Sequence, residues 1–132
     1  VSGLGGTHWG RIEGARAEEN SVHAIAAETF ETWGEPTVES VVAARQELSS
    51  KTEIWASGGV RTGLDAAKLL ALGAHQVGFA KPALEAALAG PEALRQWMSA
   101  REYELRVALF CTGSPSPGVL RVKEGVWKAN AI

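Results

Sequence analysis

Apolar residues in this chain group into short compact runs and longer helically spaced ones, and turn formers mark each change from one to the other. Residues 52–57 (Thr-Glu-Ile-Trp-Ala-Ser) are β-prone and end at Gly58-Gly59, which predicts a strand delivering its C-terminal tip into a tight turn. Alanine and leucine then recur at helical spacing over 64–72. Asp65 lies in the first turn, where the helix dipole favours a carboxylate, and Gly73 provides the stop. Val77-Gly78-Phe79-Ala80 is short and uncharged, as expected of a strand covered on both faces, and finishes at a turn at Lys81-Pro82. A helix over 83–89 follows. Gly90-Pro91 breaks it, and a long amphipathic helix over 92–110 is predicted from Leu94, Trp97, Met98, Leu105, Ala108 and Leu109. From Thr112 onward turn formers mix with scattered apolar residues, which allows a short helix or coil.

Upstream, Gly3-Leu4-Gly5-Gly6-Thr7 is a loop by composition. Residues 11–32 begin as alternating charged and small residues and settle into a helical pattern around Val22, Ile25, Ala26 and Phe30. Trp33-Gly34-Glu35-Pro36-Thr37 stops that helix, with Thr37 as the candidate cap of the next. The next helix, over 38–49, is expected to bury Val38, Val41, Val42, Ala44 and Leu48 and to expose Glu39, Arg45 and Glu47.

Strands alternating with helices through short connections indicate parallel α/β architecture. A (β/α)8 barrel needs eight strands and about 250 residues. Two full strands and a clipped one are visible here, so residues 1–132 are expected to form one partial domain, the C-terminal portion of an incomplete barrel. A small open sheet complete in itself is the alternative, disfavoured by the number of strands. The start points the same way: Val1-Ser2-Gly3 runs straight into a glycine-rich turn, and such a turn normally follows a strand.

Composition narrows the partners. With 45% hydrophobic and 21% charged residues and a net charge of −2, the chain has no basic stripe for nucleic acid and no polybasic patch for a membrane. No apolar run approaches the roughly 20 residues that cross a bilayer. One cysteine, Cys111, and no His or Cys cluster at ligand spacing suggest a reducing compartment, with the cytoplasm as the expected location and no metal site.

The candidate chemistry sits after the two strands. Ser57-Gly58-Gly59-Val60-Arg61-Thr62 and Ala80-Lys81-Pro82 lie one βα unit apart, the arrangement with which barrel loops grip a phosphate. Glycine lets amides approach an anion, a helix start adds favourable dipole, and Arg61 and Lys81 add charge. The bland alternative is a tight turn with exposed basic neighbours. Ser2-Gly3-Leu4-Gly5-Gly6-Thr7 is a third candidate, offering backbone donors and two hydroxyls, or else a flexible connector.

Several of these segments, with others, carry a family likeness. Gly5-Gly6-Thr7-His8-Trp9, Arg11-Ile12-Glu13, Trp33-Gly34-Glu35-Pro36-Thr37, Ala56-Ser57-Gly58-Gly59-Val60-Arg61-Thr62-Gly63-Leu64-Asp65 and Ala108-Leu109-Phe110-Cys111-Thr112-Gly113 resemble the type 2 isopentenyl diphosphate isomerases, FMN-dependent barrel enzymes of isoprenoid synthesis. The likeness runs to about residue 118. Many FMN barrels share the Ser-Gly-Gly-Val-Arg segment, whereas the Gly-Gly-Thr-x-Trp and Trp-Gly-x-Pro-Thr pair is more specific.

The resemblance implies interconversion of isopentenyl and dimethylallyl diphosphates with reduced FMN as the acid–base agent, NADPH to reduce the flavin and Mg2+ to hold the prenyl diphosphate substrate. It implies Ser2 and Thr7 as FMN contacts, Gly58, Gly59 and Val60 as backbone donors around the FMN phosphate, and Ala80 and Lys81 closing that site. A homo-oligomer, octameric in the family, is also implied, and the unpaired edges of an open sheet favour association as well. Two departures, Glu35 for an apolar residue and Ala83 for phenylalanine, fall outside those contacts. The family's substrate-binding basic residues, catalytic glutamine and magnesium-binding glutamate match nothing here, so no catalytic residue is assigned.

Two rivals stand beside this reading. One is a hydroxyacid-oxidising FMN barrel, which needs a histidine–arginine pair in this region where only Arg61 is available; the other is an inactive phosphate-binding fragment. His8, His23 and His75 read as structural or surface residues, Arg11 and Glu13 as a solvated pair, Cys111 as a small hydrophobe, and the five tryptophans as core and interface packing.

Overall fold

The computed structural model describes residues 3–127. Within them the order is α1 (Trp9–Arg16), α2 (Val22–Thr29), α3 (Thr37–Glu47), β1 (Trp55–Ala56), α4 (Gly63–Ala71), β2 (Gln76–Val77), α5 (Lys81–Leu88), α6 (Pro91–Cys111) and α7 (Pro117–Val122). The strands pair in parallel, Trp55 with Gln76 and Ala56 with Val77, joined through α4. This is the expected parallel α/β architecture.

Both strands are shorter than the apolar runs that predicted them. His75 explains one end: its N–H donates to the Ile54 carbonyl at 2.7 Å and its Nδ1 accepts from the Ile54 N–H at 3.0 Å. A side chain thus replaces a strand partner where the ladder begins. At the other end the left-handed Gly58 and Gly59 turn β1 away from its neighbour.

α4 is the central helix because both of its faces are buried. Leu69 and Leu72 join Val41 of α3, Ala56 and Val60 of the strand tip and Ala74 in one cluster. Ala67, Leu70 and Ala71 join Leu120 of α7 in a second, against Leu105, Ala108 and Leu109 of α6. Loss of a leucine side chain from such a site costs about 2–5 kcal/mol.

Several expectations need correction. α1 is a separate helix that the pattern did not resolve, since Gly10 and Gly14 leave it no apolar stripe. Lys81-Pro82 is no turn: proline suits the first turn of a helix, and α5 begins there. Thr37 caps nothing and lies buried inside α3, whose Val38 and Leu48 are exposed while Val41 is fully buried. Trp9, Trp33, Trp55 and Trp127 are exposed and Trp97 is half-buried, so no tryptophan belongs to the core. Cys111 is exposed at the end of α6. Arg11 pairs with Glu31 and Glu13 with Arg16, so the solvated pair read from sequence has other partners.

The start of α4 is closed by a reciprocal cap. The Thr62 hydroxyl accepts from the Asp65 N–H at 3.0 Å, and the Asp65 carboxylate accepts from the amides of Arg61 and Thr62 at 3.1 and 3.0 Å. Partial burial pushes the Asp65 carboxyl up, but hydrogen bonding with Thr62 and Arg61 and the charge of Lys68 outweigh it and hold the group below its ordinary value of 3.8. The folded state therefore favours the ionised form. This contribution to stability is complete above the ordinary carboxylate range and is lost as pH falls through the lowered value. Asp65→Ala is expected to cost about 1 kcal/mol in urea denaturation of the intact protein at pH 7, as cap losses do, and less as the pH drops below 3.8. An equal cost at pH 7 and at the acid end contradicts the assignment.

Candidate functional site

The two strand tips face one cavity. Its volume is about 550 Å3, inside the range of about 300–1,000 Å3 usual for small-molecule sites. Gly58, Gly59 and Val60 line it from the first tip, Ala80 and Lys81 from the second, and Gly5, Gly6 and Thr7 from the N-terminal loop. The structure thus brings together six of the seven residues singled out from sequence; Ser2 lies outside the described residues.

Close backbone contact holds the cradle in shape. Gly58 and Gly59 have φ of +102° and +74°, the left-handed region where a side chain is strained. A Cβ on Gly58 would also lie 2.6 Å from the Gly3 carbonyl oxygen, and one on Gly59 would lie 2.9 Å from Cα of Gly5. Two glycine segments therefore pack main chain against main chain. The N–H of Gly3 donates to the Ser57 carbonyl at 3.3 Å, and the N–H of Leu4 donates to the Glu35 carbonyl at 2.8 Å.

Thr37 locks this contact from below. Its hydroxyl lies 2.8 Å from the Gly58 carbonyl and 3.3 Å from the Ser57 carbonyl, so it donates toward both oxygens of the tip. Sequence reading missed this role because Thr37 follows Pro36, where a helix cap is the local expectation; only the distant Gly58 reveals the other partner.

Donor supply differs between the two helix starts. At α4 the amides of Arg61, Thr62, Gly63 and Asp65 are already taken, the first two by Asp65, the third by Glu104 at 2.5 Å and the fourth by Thr62. Of the first-turn amides of α4 only that of Leu64 lacks an acceptor among the described residues, so this helix start offers few of the expected donors. At α5 no side chain caps the first turn. Among the described residues, the amides of Gly58, Gly59, Val60 and Lys81 have no acceptor. Free amides around a glycine-lined hollow are an arrangement that suits an anion.

The basic side chains contribute less than their charge suggests. Lys81 is exposed and pairs with Glu85 at 3.9 Å, a helix-surface pair of small energetic weight. Arg61 is exposed at the rim. Thr7 is also exposed and lines the cavity from the N-terminal loop.

α6 reaches behind both tips, which the sequence did not signal. Trp97 meets Phe79 edge-on at 5.2 Å, just before Ala80. Arg101 lies over the Trp97 ring at 5.4 Å, approaches the Arg61 carbonyl at 3.3 Å and pairs with Glu104 at 2.6 Å.

The three histidines stay out of the cradle. His8 caps α1 by accepting from the Arg11 N–H, with Nε2 3.3 Å from the Trp33 carbonyl, and His75 serves the sheet. His23 lines a separate open hollow between α1 and α2. Among the described residues no group of three or more His, Cys, Asp or Glu side chains is placed to hold a metal ion, and no helix is long and apolar enough to cross a membrane.

A glycine-lined hollow with unpaired main-chain amides, set at the tips of two adjacent parallel strands, defines an α/β protein with a site suited to an anion. The family model of the FMN-dependent dehydrogenases matches residues 33–124, and the chain belongs to that family. It is 57% identical over 114 residues to an isopentenyl-diphosphate delta-isomerase of Legionella pneumophila (strain Lens), covering 86% of this chain and 33% of that protein. It is 54% identical over 114 residues to the enzyme of that name from Bdellovibrio bacteriovorus, with the same coverage. With that of a Synechococcus species it shares 46% identity over 127 residues, 92% of this chain and 36% of the other. The chain thus spans about a third of the length of the curated relatives it matches. The likeness read from the motifs agrees with these relatives.

Thr37→Val keeps the shape of the residue and removes its hydroxyl. The expected loss is about 1 kcal/mol, the usual weight of a hydrogen bond, measured by urea denaturation of the intact protein. Unchanged stability contradicts the lock.

Proposed function

We propose that the intact protein interconverts isopentenyl and dimethylallyl diphosphates, and that this chain supplies the part that grips the FMN phosphate. The observation that carries the proposal is the set of acceptorless amides at Gly58, Gly59 and Val60, residues that line a cavity of about 550 Å3. A phosphate monoester suits such a cradle because it accepts several hydrogen bonds at once and needs no dedicated cation. The names of the relatives supply the substrate, and the FMN-dependent family supplies the cofactor.

In this reading Gly58, Gly59 and Val60 hold the phosphate from one strand tip. The uncapped start of α5 at Ala80 and Lys81 holds it from the other. Thr7 places a hydroxyl on the rim for the ribityl chain, and Ser2 is assigned the neighbouring contact by resemblance. Bound reduced FMN would supply proton donation and acceptance at the migrating double bond. The residues present fit such a group: the cradle admits no Cβ at Gly58 or Gly59, and Glu85 is the one carboxylate among its lining residues.

The remainder of the reading extends beyond this chain. A complete (β/α)8 barrel, NADPH as reductant, Mg2+ on the diphosphate, a homo-oligomer and a cytoplasmic location all belong to the proposal. The hydroxyacid-oxidising alternative finds less support, since none of the three histidines faces the cradle beside Arg61.

Titration of FMN into the intact apoprotein, followed by flavin fluorescence, is expected to show binding that Gly59→Ala weakens by about tenfold or more. A Cβ at a left-handed residue costs about 1–3 kcal/mol, and the tip has no room to move. Equal affinity in the wild type and the variant removes the cradle assignment.

A further inference from the structure

A single stripe on α6 fastens both halves of the cradle. Trp97, Arg101 and Glu104 are spaced i, i+4, i+7 and lie along one face of the helix. Trp97 packs edge-on against Phe79, which fixes the approach to Ala80 and Lys81. Arg101 and Glu104 act on the other tip: the guanidinium approaches the Arg61 carbonyl at 3.3 Å, and the carboxylate accepts the Gly63 N–H at 2.5 Å. The main chain just beyond Val60 is thereby held from both its carbonyl and its amide side.

Packing leaves this connection little play. A Cβ on Gly63 would strike the Arg101 carbonyl, so α4 and α6 touch main chain to main chain there. The Arg101–Glu104 pair at 2.6 Å has only 22% and 35% of its side-chain surface exposed, unlike the other pairs on α6, Glu92–Arg95 and Glu102–Arg106, which lie open to solvent. Arg101 Nε is buried without a hydrogen-bond partner. An unpaired buried donor costs about 1–3 kcal/mol. The guanidinium keeps that position over Trp97, where ring and cation attract and where its terminal nitrogens reach both Glu104 and Arg61.

We infer that Arg101 and Glu104 are positioning residues for phosphate recognition: they fix the Arg61–Gly63 backbone so that the free amides of Gly58, Gly59 and Val60 converge on one anion. Neither side chain lines the cavity, so their effect runs through the loop. This rests on the cradle being the FMN-phosphate site. Its distinguishing consequence is selectivity: loosening the loop weakens the grip on the phosphate and leaves other contacts to the flavin intact.

The test measures affinities of the intact apoprotein for FMN and for riboflavin, which lacks the phosphate, in the wild type and in Arg101→Met, Arg101→Lys and Glu104→Gln, with thermal unfolding recorded for each. Arg101→Met is expected to reduce the preference for FMN over riboflavin by about tenfold, a change of about 1.4 kcal/mol, with riboflavin affinity little changed. Arg101→Lys and Glu104→Gln, which keep a cation or an acceptor in place, are expected to recover part of that preference. A lower unfolding temperature with the preference intact in every variant overturns the positioning role and leaves the cradle standing. Should Arg101→Met fail to fold, an unchanged preference in the two conservative variants overturns it equally. No preference for FMN in the wild type overturns both the cradle and this inference.

Discussion

Main-chain contact between two glycine segments is the constraint on which the rest of this structure depends. Gly58 and Gly59 bend the tip of β1 through the left-handed region, and Gly3 and Gly5 lie against them where no Cβ fits. Among the described residues, the three amides of that bent tip, at Gly58, Gly59 and Val60, have no acceptor. Everything nearby serves to keep that conformation: Thr37 holds the tip carbonyls from one side, and α6 holds the chain after Val60 from the other. Glycine adopts this conformation without strain, so the cost at the tip is the entropy of ordering a flexible segment, offset by buried contacts elsewhere.

Electrostatics at the site is arranged with similar economy. Two carboxylates, Asp65 and Glu104, close the α4 start, while α5 is left uncapped. The donors facing the cavity are therefore mostly peptide groups, which carry no formal charge and need little desolvation of a cation. Exposed Lys81 adds a weak, screened contribution.

Much of this was legible in the sequence, and the failures have physical causes. Turn chemistry marked the first strand tip and the break between α5 and α6, because glycine and proline act locally: Gly58-Gly59 and Gly90-Pro91 fall where the chain changes direction, whereas Lys81-Pro82 opens a helix. The run over 64–72 matched α4 because a helix buried on two faces needs small and apolar residues throughout. Residues whose partners are remote stayed unread. Thr37 looks like a cap until Gly58 is beside it, and Arg101 looks like one more surface cation until Arg61 and Trp97 surround it. Tryptophan misled for the opposite reason: apolar side chains are expected inside, yet four of the five are exposed on the described residues. α1 escaped notice since its stability comes from packing on α2 and its His8 cap, with no amphipathic stripe of its own.

The helical hairpin of α1 and α2 carries a consequence for how the chain can diverge. It departs after Thr7 and returns at Trp33, and His8 touches the Trp33 carbonyl, so exit and re-entry are adjacent. Arg11 and Glu31 tie the same neck, and the family match begins at residue 33, where the hairpin closes. Chain added or removed at the far end leaves the neck where it is, and doubling a loop costs only about 0.6 kcal/mol of closure entropy. A change of chain length at the far end of the α1–α2 excursion is thereby insulated from the contact between Gly5 and Gly59.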